Sequence, residues 1–428
     1  MYNRIPGIVG SKRLKKQIAR FSYFYHDMAG KNYNIWWGPP KQFSAKIAER
    51  KISWLELFYD LVYVIVISKV THHLAEHPSA SGILGYAYLF TMVFWGWFNG
   101  SMHHDLHGVP GIRTRFMTLW QMVAVGALAV TLDSPPESFM ARVTIALIVL
   151  QLFITYLWWS IGIYDKHHRK LNRPYTVCYL LATAILVLTI YVPGMRLAIV
   201  YWVALALNYT PFLYTAIRVR NTEDNFSLSA NMVERLGLLA IIVFGEAILG
   251  VINGVSHTGT AMTVGTWSYF VLGVLIVFAL WWIFFAVIAD REAKKGMMSA
   301  NKFSFLYIPA LGSLGMIGAS FPALLSVNEV PHAHALQLIF GCSITIFLCS
   351  IAALSGYLHF TQHLGSNKRR SQQLIIAVGV FNLLLIYLQF HFSMLVYLTC
   401  VFVSLLAVVV TFTRVWYRGE MANSVLQD

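Results

Sequence analysis

Acidic side chains occur inside two long apolar stretches of the chain, where they could move a proton or bind a charged substrate. Glu56 and Asp60 lie one helical turn apart in the first stretch, and Glu246 follows Glu234 by twelve residues in a later one. An ionisable group near the centre of a bilayer costs at least about 2.5 kcal/mol unless it is paired or hydrated. These residues are therefore candidates for proton-coupled or substrate-binding carboxylates.

The later stretch also carries a basic partner, because Arg235 directly follows Glu234. At 100° per residue, Arg235 and Asn253 lie within about 20° of Glu246 on one side and His257 within about 20° on the other. The spacing predicts one polar stripe, with Glu246 roughly 18 Å into the helix, near the middle of a bilayer. A structural alternative is a neutral Glu246 that is hydrogen-bonded between helices.

Both acidic stretches begin with the spacing of a capping box, Ser53 to Glu56 and Asn231 to Glu234. In such a box the two side chains satisfy free amides at the helix start, so Glu56 also has a purely structural interpretation. Six predicted spans separate the two starting points. This indicates two parallel six-helix halves, an arrangement in which transporters place their site at the interface between the halves.

The composition is that of a membrane protein. Of the 428 residues, 57% are hydrophobic and only 12% are charged, against roughly 25% in soluble domains, which excludes a water-soluble enzyme and a disordered chain. Apolar blocks of about 20 residues predict an all-α, polytopic fold with about twelve transmembrane helices. Their predicted starts are Trp54, Ile83, Thr114, Ala141, Tyr175, Arg196, Val233, Trp267, Phe303, Leu336, Leu374 and Ser393. The predicted regions are a basic aromatic segment (1–53), two halves (54–220 and 221–415) and a tail (416–428).

The basic residues predict the orientation, because Lys and Arg near span ends stay on the cytoplasmic side. With the N-terminus inside, the 32 Lys and Arg residues all lie in inner segments except Lys69, Arg142, Arg196 and Arg235. We therefore expect both termini in the cytoplasm. The net charge of +14 then reflects topology and anionic lipid, so the expected partner is the lipid bilayer and not nucleic acid.

Two groups of histidines have the i, i+4 spacing that can hold a metal on one helix face. They are His72, His73 and His77, and His103, His104 and His107. The predicted topology puts them about one bilayer apart, so they cannot form a single site. Interfacial histidines more often titrate or form hydrogen bonds, and we expect no metal and no cofactor.

The predicted ninth span contains a run of small residues and a helix breaker, from Gly312 to Pro322. It is consistent with a broken helix whose backbone coordinates a substrate or ion. Close helix packing explains the same residues equally well.

Two motifs carry a resemblance to a known family. They are Trp54-Leu-Glu56-Leu-Phe-Tyr-Asp60-Leu-Val-Tyr-Val64, and a second that begins Glu234-Arg235-Leu-Gly237 and ends Gly245-Glu246-Ala-Ile-Leu249. Over about residues 50–415 the chain resembles the bacterial low-temperature-requirement A family of membrane proteins. The resemblance implies a bacterial cytoplasmic (inner) membrane protein and gives weight to the acids and the arginine of both motifs. Met232-Val233 stands where the family often has a histidine, so a site that needs that histidine is not implied here. The family name refers to growth in the cold and supplies no reaction.

The leading functional expectation is a secondary transporter or permease of an unidentified small molecule or ion. The expected site residues are Glu246, Asp60, Arg235, Glu234, Glu56 and Asn253. An integral membrane enzyme or lipid-modifying factor, with the same acids as general acid and base, is the first alternative. A non-catalytic scaffold is the second. Enzymatic activity is less favoured because the chain has no nucleophile elbow, phosphate loop or HExxH motif. A homo-oligomer is compatible with all three.

Overall fold

The structure is a computed structural model that describes most of the chain from residue 51 onward. The described residues are 40–41, 51–109, 111–165, 169–192, 198–219, 228–256, 263–289, 291–325, 333–360, 362–388 and 393–424. Most of the predicted N-terminal segment, and His257 of the predicted polar stripe, lie outside these ranges.

In the described part of the chain, the regular secondary structure consists of helices, apart from one isolated antiparallel bridge between Ala293 and Leu358. The all-α prediction is therefore confirmed, and each predicted start lies inside one of the twelve helices or within two residues of it. The helices are α1 (Trp54–Glu76), α2 (Ala80–His107), α3 (Ile112–Thr131), α4 (Pro136–Tyr164), α5 (Arg169–Tyr191), α6 (Ala198–Val219), α7 (Ala230–Ser256), α8 (Val264–Ile288), α9 (Met297–Leu325), α10 (Ala333–Ser355), α11 (Gln362–Leu388) and α12 (Met394–Ser424).

Eight of these helices are long and apolar enough to cross a bilayer, namely α4, α5 and α7 to α12. The chain is therefore a membrane protein with several candidate spans. Helices α1, α2, α3 and α6 are not among these eight; α1, for example, contains the four charged residues Glu56, Asp60, Lys69 and Glu76. Twelve spans remain a prediction.

The starts of α1 and α7 are fixed in different ways. At α1 the predicted capping box is confirmed. Ser53 Oγ accepts a hydrogen bond from the Glu56 amide, and the Ser53 amide donates one to Glu56 Oε2. At α7 the predicted box was wrong. Ser229 caps the helix, since its Oγ accepts the Met232 amide at 2.9 Å, and Asn231 lies within the first turn. The side chain of Asn231 instead donates to Asp105 Oδ1 at 3.0 Å.

Helix α9 runs without a break through the small-residue segment, so the broken-helix interpretation was wrong and the packing interpretation holds. Neighbouring helices approach its backbone directly. Tyr86 of α2 donates to the Gly312 carbonyl at 2.8 Å, and a Cβ added to Gly250 of α7 would collide with the Gly318 carbonyl. Small residues are therefore needed here for close contact between helices.

Contacts among helices α1 to α6, the first set, follow an order similar to that of contacts among α7 to α12, the second set. In the first set, α1 contacts α2 and α3, and α3 to α6 follow one another as neighbours. In the second set, α7 contacts α8 and α9, and α9 to α12 follow one another in the same way. Helices α1 and α2 meet both α7 and α9, and α6 also meets α9. The contact between α1 and α7 is where the predicted acidic residues lie.

Candidate functional site

A buried ion pair joins α1 to α7. Asp60 and Arg235 are 0% and 1% exposed, and the Arg235 guanidinium meets the carboxylate with two nitrogens. Its Nη2 donates to Oδ1 and its Nε donates to Oδ2 at 3.2 Å. The indole Nε1 of Trp97 on α2 also donates to Oδ1, at 2.7 Å. Both oxygens of Asp60 are thus engaged by donors from other helices.

Glu56 brings a second acid to the same arginine. Its Oε1 lies 3.5 Å from Arg235 Nη1, and its Oε2 accepts from the amide and the hydroxyl of Ser53, each at 2.9 Å. Glu56 is 2% exposed. The Nε2 atom of His104, on α2, lies 3.7 Å from Glu56 Oε1. Glu56, Asp60, Arg235 and His104 together are called the charge cluster below.

Aromatic rings surround the arginine of the charge cluster. Its Cζ lies 5.8 Å from the ring centre of Tyr59 and 5.7 Å from that of Trp97, distances at which a cation is attracted to a ring face. The Tyr59 hydroxyl in turn donates to Gln121 Oε1 on α3 at 3.2 Å. The guanidinium therefore lies among acids and rings contributed by α1 and α2.

Among the four members of the charge cluster, the formal charges cancel only when one proton is present. Counted by themselves, ionised Glu56, ionised Asp60 and Arg235 sum to one negative charge, and a buried net charge is unfavourable unless another group balances it. A proton on His104 restores neutrality, and so does a proton on Glu56. The His104 side chain is 18% exposed, against 2% for Glu56, so the histidine is the member nearest to the surface. The arrangement is chemically able to take up and release one proton.

Glu246 makes a separate contact on the same pair of helices. It is half-buried and accepts a hydrogen bond of 2.9 Å from Ser68 Oγ of α1. Arg235 lies eleven residues earlier on α7, roughly 16 Å along the helix. The arginine thus pairs with Asp60 and Glu56 and not with Glu246, so the two acidic sites are distinct.

The remaining members of the predicted site lie on the protein surface. Glu234 and Asn253 are both exposed on α7, whereas Arg235 and Asp60 are buried. Their assignment to the site stays a prediction.

Some residues of the site were not foreseen as such. In the sequence, His104 is recognisable only as part of a histidine group, although its predicted position at the inner end of the second span matches that of Glu56. Trp97 and Ser68 gave no signal, because a tryptophan and a serine in an apolar helix are ordinary. Only the packing of α2 and α7 against α1 brings them to the acids.

The two histidine groups lie at opposite ends of α1. His104 contacts Glu56 near the start of that helix, whereas His73 and His77 lie at its end. In the second group, His107 Nδ1 lies 2.8 Å from the Lys41 carbonyl oxygen. At the far end, donor atoms of His73, Glu76 and His77 all lie within 4.8 Å of one another.

Comparison with known proteins identifies the family. Residues 51–413 match the family described as bacterial low temperature requirement A protein (LtrA), and this range contains the charge cluster, Ser68 and Glu246. No curated protein matches the sequence. Because the match covers most of the chain, the protein belongs to the bacterial low temperature requirement A (LtrA) family.

Proposed function

We propose that the protein is a secondary transporter or permease of a small molecule or ion, with the acids between α1 and α7 as its proton- or substrate-binding groups. One observation carries the proposal. The charge cluster and the Ser68–Glu246 pair lie on a single interface between the two sets of six helices. Proton coupling uses a group that is charged in one state and neutral in another, and the contact between Glu56 and His104 supports such a role.

The role of each residue follows from its surroundings. Glu56 and His104 exchange the coupling proton, because they are adjacent and His104 reaches the surface. Asp60 holds Arg235 in place, since both of its oxygens are already engaged. Glu246 binds proton or substrate at a second position, where it is half-buried and has a single hydroxyl partner among the contacts given by the structure.

The two positions are separated by apolar packing. On α1, Asp60 and Ser68 are eight residues apart, roughly 12 Å. The side chains of Tyr63, Ile67, Leu239 and Val243 occur between them on the two helices and are at most 2% exposed. A substrate moving from one position to the other would have to displace this layer, so the helices must rearrange for such a passage.

The proposal includes an internal repeat. Shifting the helix number by six converts the neighbour pairs α1·α2, α1·α3, α3·α4, α4·α5 and α5·α6 into pairs that also occur in the second set. Helices α1 and α7 run in the same direction, because Asp60 meets Arg235 and the later Ser68 meets the later Glu246. We therefore propose parallel halves, 54–220 and 221–415, in the cytoplasmic membrane with both termini inside.

Cysteine accessibility tests whether Glu246 meets water. Glu246→Cys is made in a background in which Cys178, Cys342, Cys349 and Cys400 are serine, and membrane-impermeant thiol reagents are added from each side. The matched control is Ile241→Cys on the same helix, because Ile241 is 46% exposed and belongs to the apolar outer surface. Labelling at 246 and none at 241 supports an aqueous path. Protection at 246 in folded protein contradicts it.

A scaffold is the second candidate, and one observation favours it. Asp60 accepts from both Trp97 and Arg235, so the ion pair is well satisfied and could serve only to join α1, α2 and α7. In that case Glu246→Gln and His104→Gln leave every transport and growth phenotype unchanged, and only abundance responds to Asp60→Asn.

A further inference from the structure

Contrary to the expectation from the sequence, we propose that His73, Glu76 and His77 bind a divalent transition-metal ion of the zinc class at the end of α1. One donor atom of each residue lies within 4.8 Å of the other two. These residues lie at the opposite end of α1 from the charge cluster. The inference does not depend on the proposed transport function.

The spacing of the donors comes from the helix itself. His73 lies in the last turn and His77 is the residue that follows the helix, with its amide bonded to the His73 carbonyl oxygen; the ring centres of the two histidines are 4.8 Å apart. Zinc bonds of about 2.0–2.2 Å bring tetrahedral ligands to roughly 3.3–3.6 Å from one another. The donors therefore need to approach by about 1 Å. Glu76 and His77 are exposed and can make this adjustment by side-chain rotation.

Both imidazoles are already oriented by neighbouring groups. The ring of His73 is half-buried and stacks on Phe139 of α4, with centres 4.8 Å apart and planes at 11°. The Nδ1 atom of His77 lies 3.3 Å from the His73 carbonyl oxygen. When that nitrogen carries the proton and donates, Nε2 presents its lone pair to a metal, the arrangement found for metal-bound histidines.

The chemistry of the donors selects the ion. Two imidazoles and one carboxylate suit zinc, nickel or copper better than magnesium or calcium, which prefer oxygen ligands. Glu76 also lies 3.4 Å from His72 Nε2, and both side chains of this pair are more than half exposed. Such an exposed pair contributes only about 0–1 kcal/mol, so a bound dication would replace it. Three protein ligands leave a fourth position for water.

A zinc titration of the full-length protein tests the inference. The protein is purified in detergent through a tag without histidines, stripped with a chelator and titrated with Zn²⁺ by calorimetry. We expect one saturable equivalent in the wild type. His73→Gln and His77→Gln should each weaken zinc binding at least about 10–100-fold. A loss of this size is typical when a residue that only orients a metal ligand is replaced, and loss of a ligand should cost at least as much. His72→Gln, on the same turn, and His103→Gln, in the other histidine group, should retain the binding.

Each contrary result overturns the inference. An unchanged zinc affinity in both His73→Gln and His77→Gln would exclude these two residues as ligands. Loss of zinc binding in His103→Gln alone would also exclude them. Size-exclusion chromatography shows whether each variant is folded. If His73→Gln does not fold, the zinc affinities of Glu76→Gln and His77→Gln test the site instead. Both substitutions alter exposed side chains, so these variants should fold. Thiol labelling at position 246 is a separate measurement, so failure of the metal site and failure of the transport proposal are distinguishable.

Discussion

Ser68 of α1 donates a hydrogen bond of 2.9 Å to Glu246 of α7. Eight residues earlier on α1, Asp60 accepts hydrogen bonds from Arg235 of α7. The same two helices therefore hold two polar contacts at different heights. Buried apolar side chains, such as Ile67 and Val243, occur between them. A substitution at either contact therefore alters the same interface between α1 and α7.

Asp60→Asn should destabilise the protein, because an amide group replaces one carboxylate oxygen and cannot accept the bonds that Arg235 and Trp97 donate to Asp60. Glu56 still faces the Arg235 charge, so the expected cost is that of an unsatisfied buried donor, about 1–3 kcal/mol. The matched control is Asp133→Asn, whose pair with Lys69 is exposed, with a median contribution of about 0–1 kcal/mol. Thermal unfolding in detergent compares the two variants. An equally small effect for both would show that Asp60 is not paired as described.

Glu246→Gln should separate stability from activity. Glutamine keeps an oxygen that can accept from Ser68, so the change in unfolding free energy should stay within about 1 kcal/mol. Proton-coupled activity should be lost, because an amide cannot exchange a proton. The measurement is growth complementation together with the protein's abundance in the membrane. A variant that is normally abundant and fully active would remove Glu246 from the mechanism.

Gly250→Ala should destabilise the contact between α7 and α9. The added Cβ would meet the Gly318 carbonyl group, with its carbon at 3.0 Å and Gly318 Cα at 3.2 Å. Overpacking of this kind costs about 1–3 kcal/mol. Gly245→Ala, on the same helix, is the control, because a Cβ there meets nothing within 4 Å. Equal melting temperatures for the two alanine variants would contradict the close approach of the helices.

His104→Gln should shift a proton onto Glu56. Glutamine cannot carry a positive charge next to Glu56, and this change favours the protonated form of the buried carboxylate. Infrared spectroscopy at neutral pH should detect the carbonyl band of a protonated carboxyl group in this variant. The band should be absent from the wild type and from the double variant His104→Gln, Glu56→Gln. Its persistence in the double variant would assign it to another residue.

The sequence predicted the all-helical fold well, because long apolar blocks bounded by charge and helix breakers are visible without any tertiary information. It was less reliable where a neighbouring helix decides the outcome. Ser229, and not Asn231, caps α7. Asp105 of α2 accepts a hydrogen bond from the Asn231 side chain and another, of 2.6 Å, from the Ser229 hydroxyl. Likewise, α9 stays continuous because α2 and α7 pack directly on its small residues.

The chemically unusual residues can be identified from the amino-acid sequence. Glu56, Asp60, Arg235 and Glu246 are ionisable groups in apolar helices, and the high free energy of an unpaired charge in a membrane makes such residues informative in a single chain. Which of them contact one another depends on the tertiary structure. Helical periodicity places residues on a face of their own helix and carries no information about the facing helix. The pairing of Arg235 with Asp60, the approach of His104 to Glu56 and the bond from Ser68 to Glu246 all depend on how α1, α2 and α7 pack together.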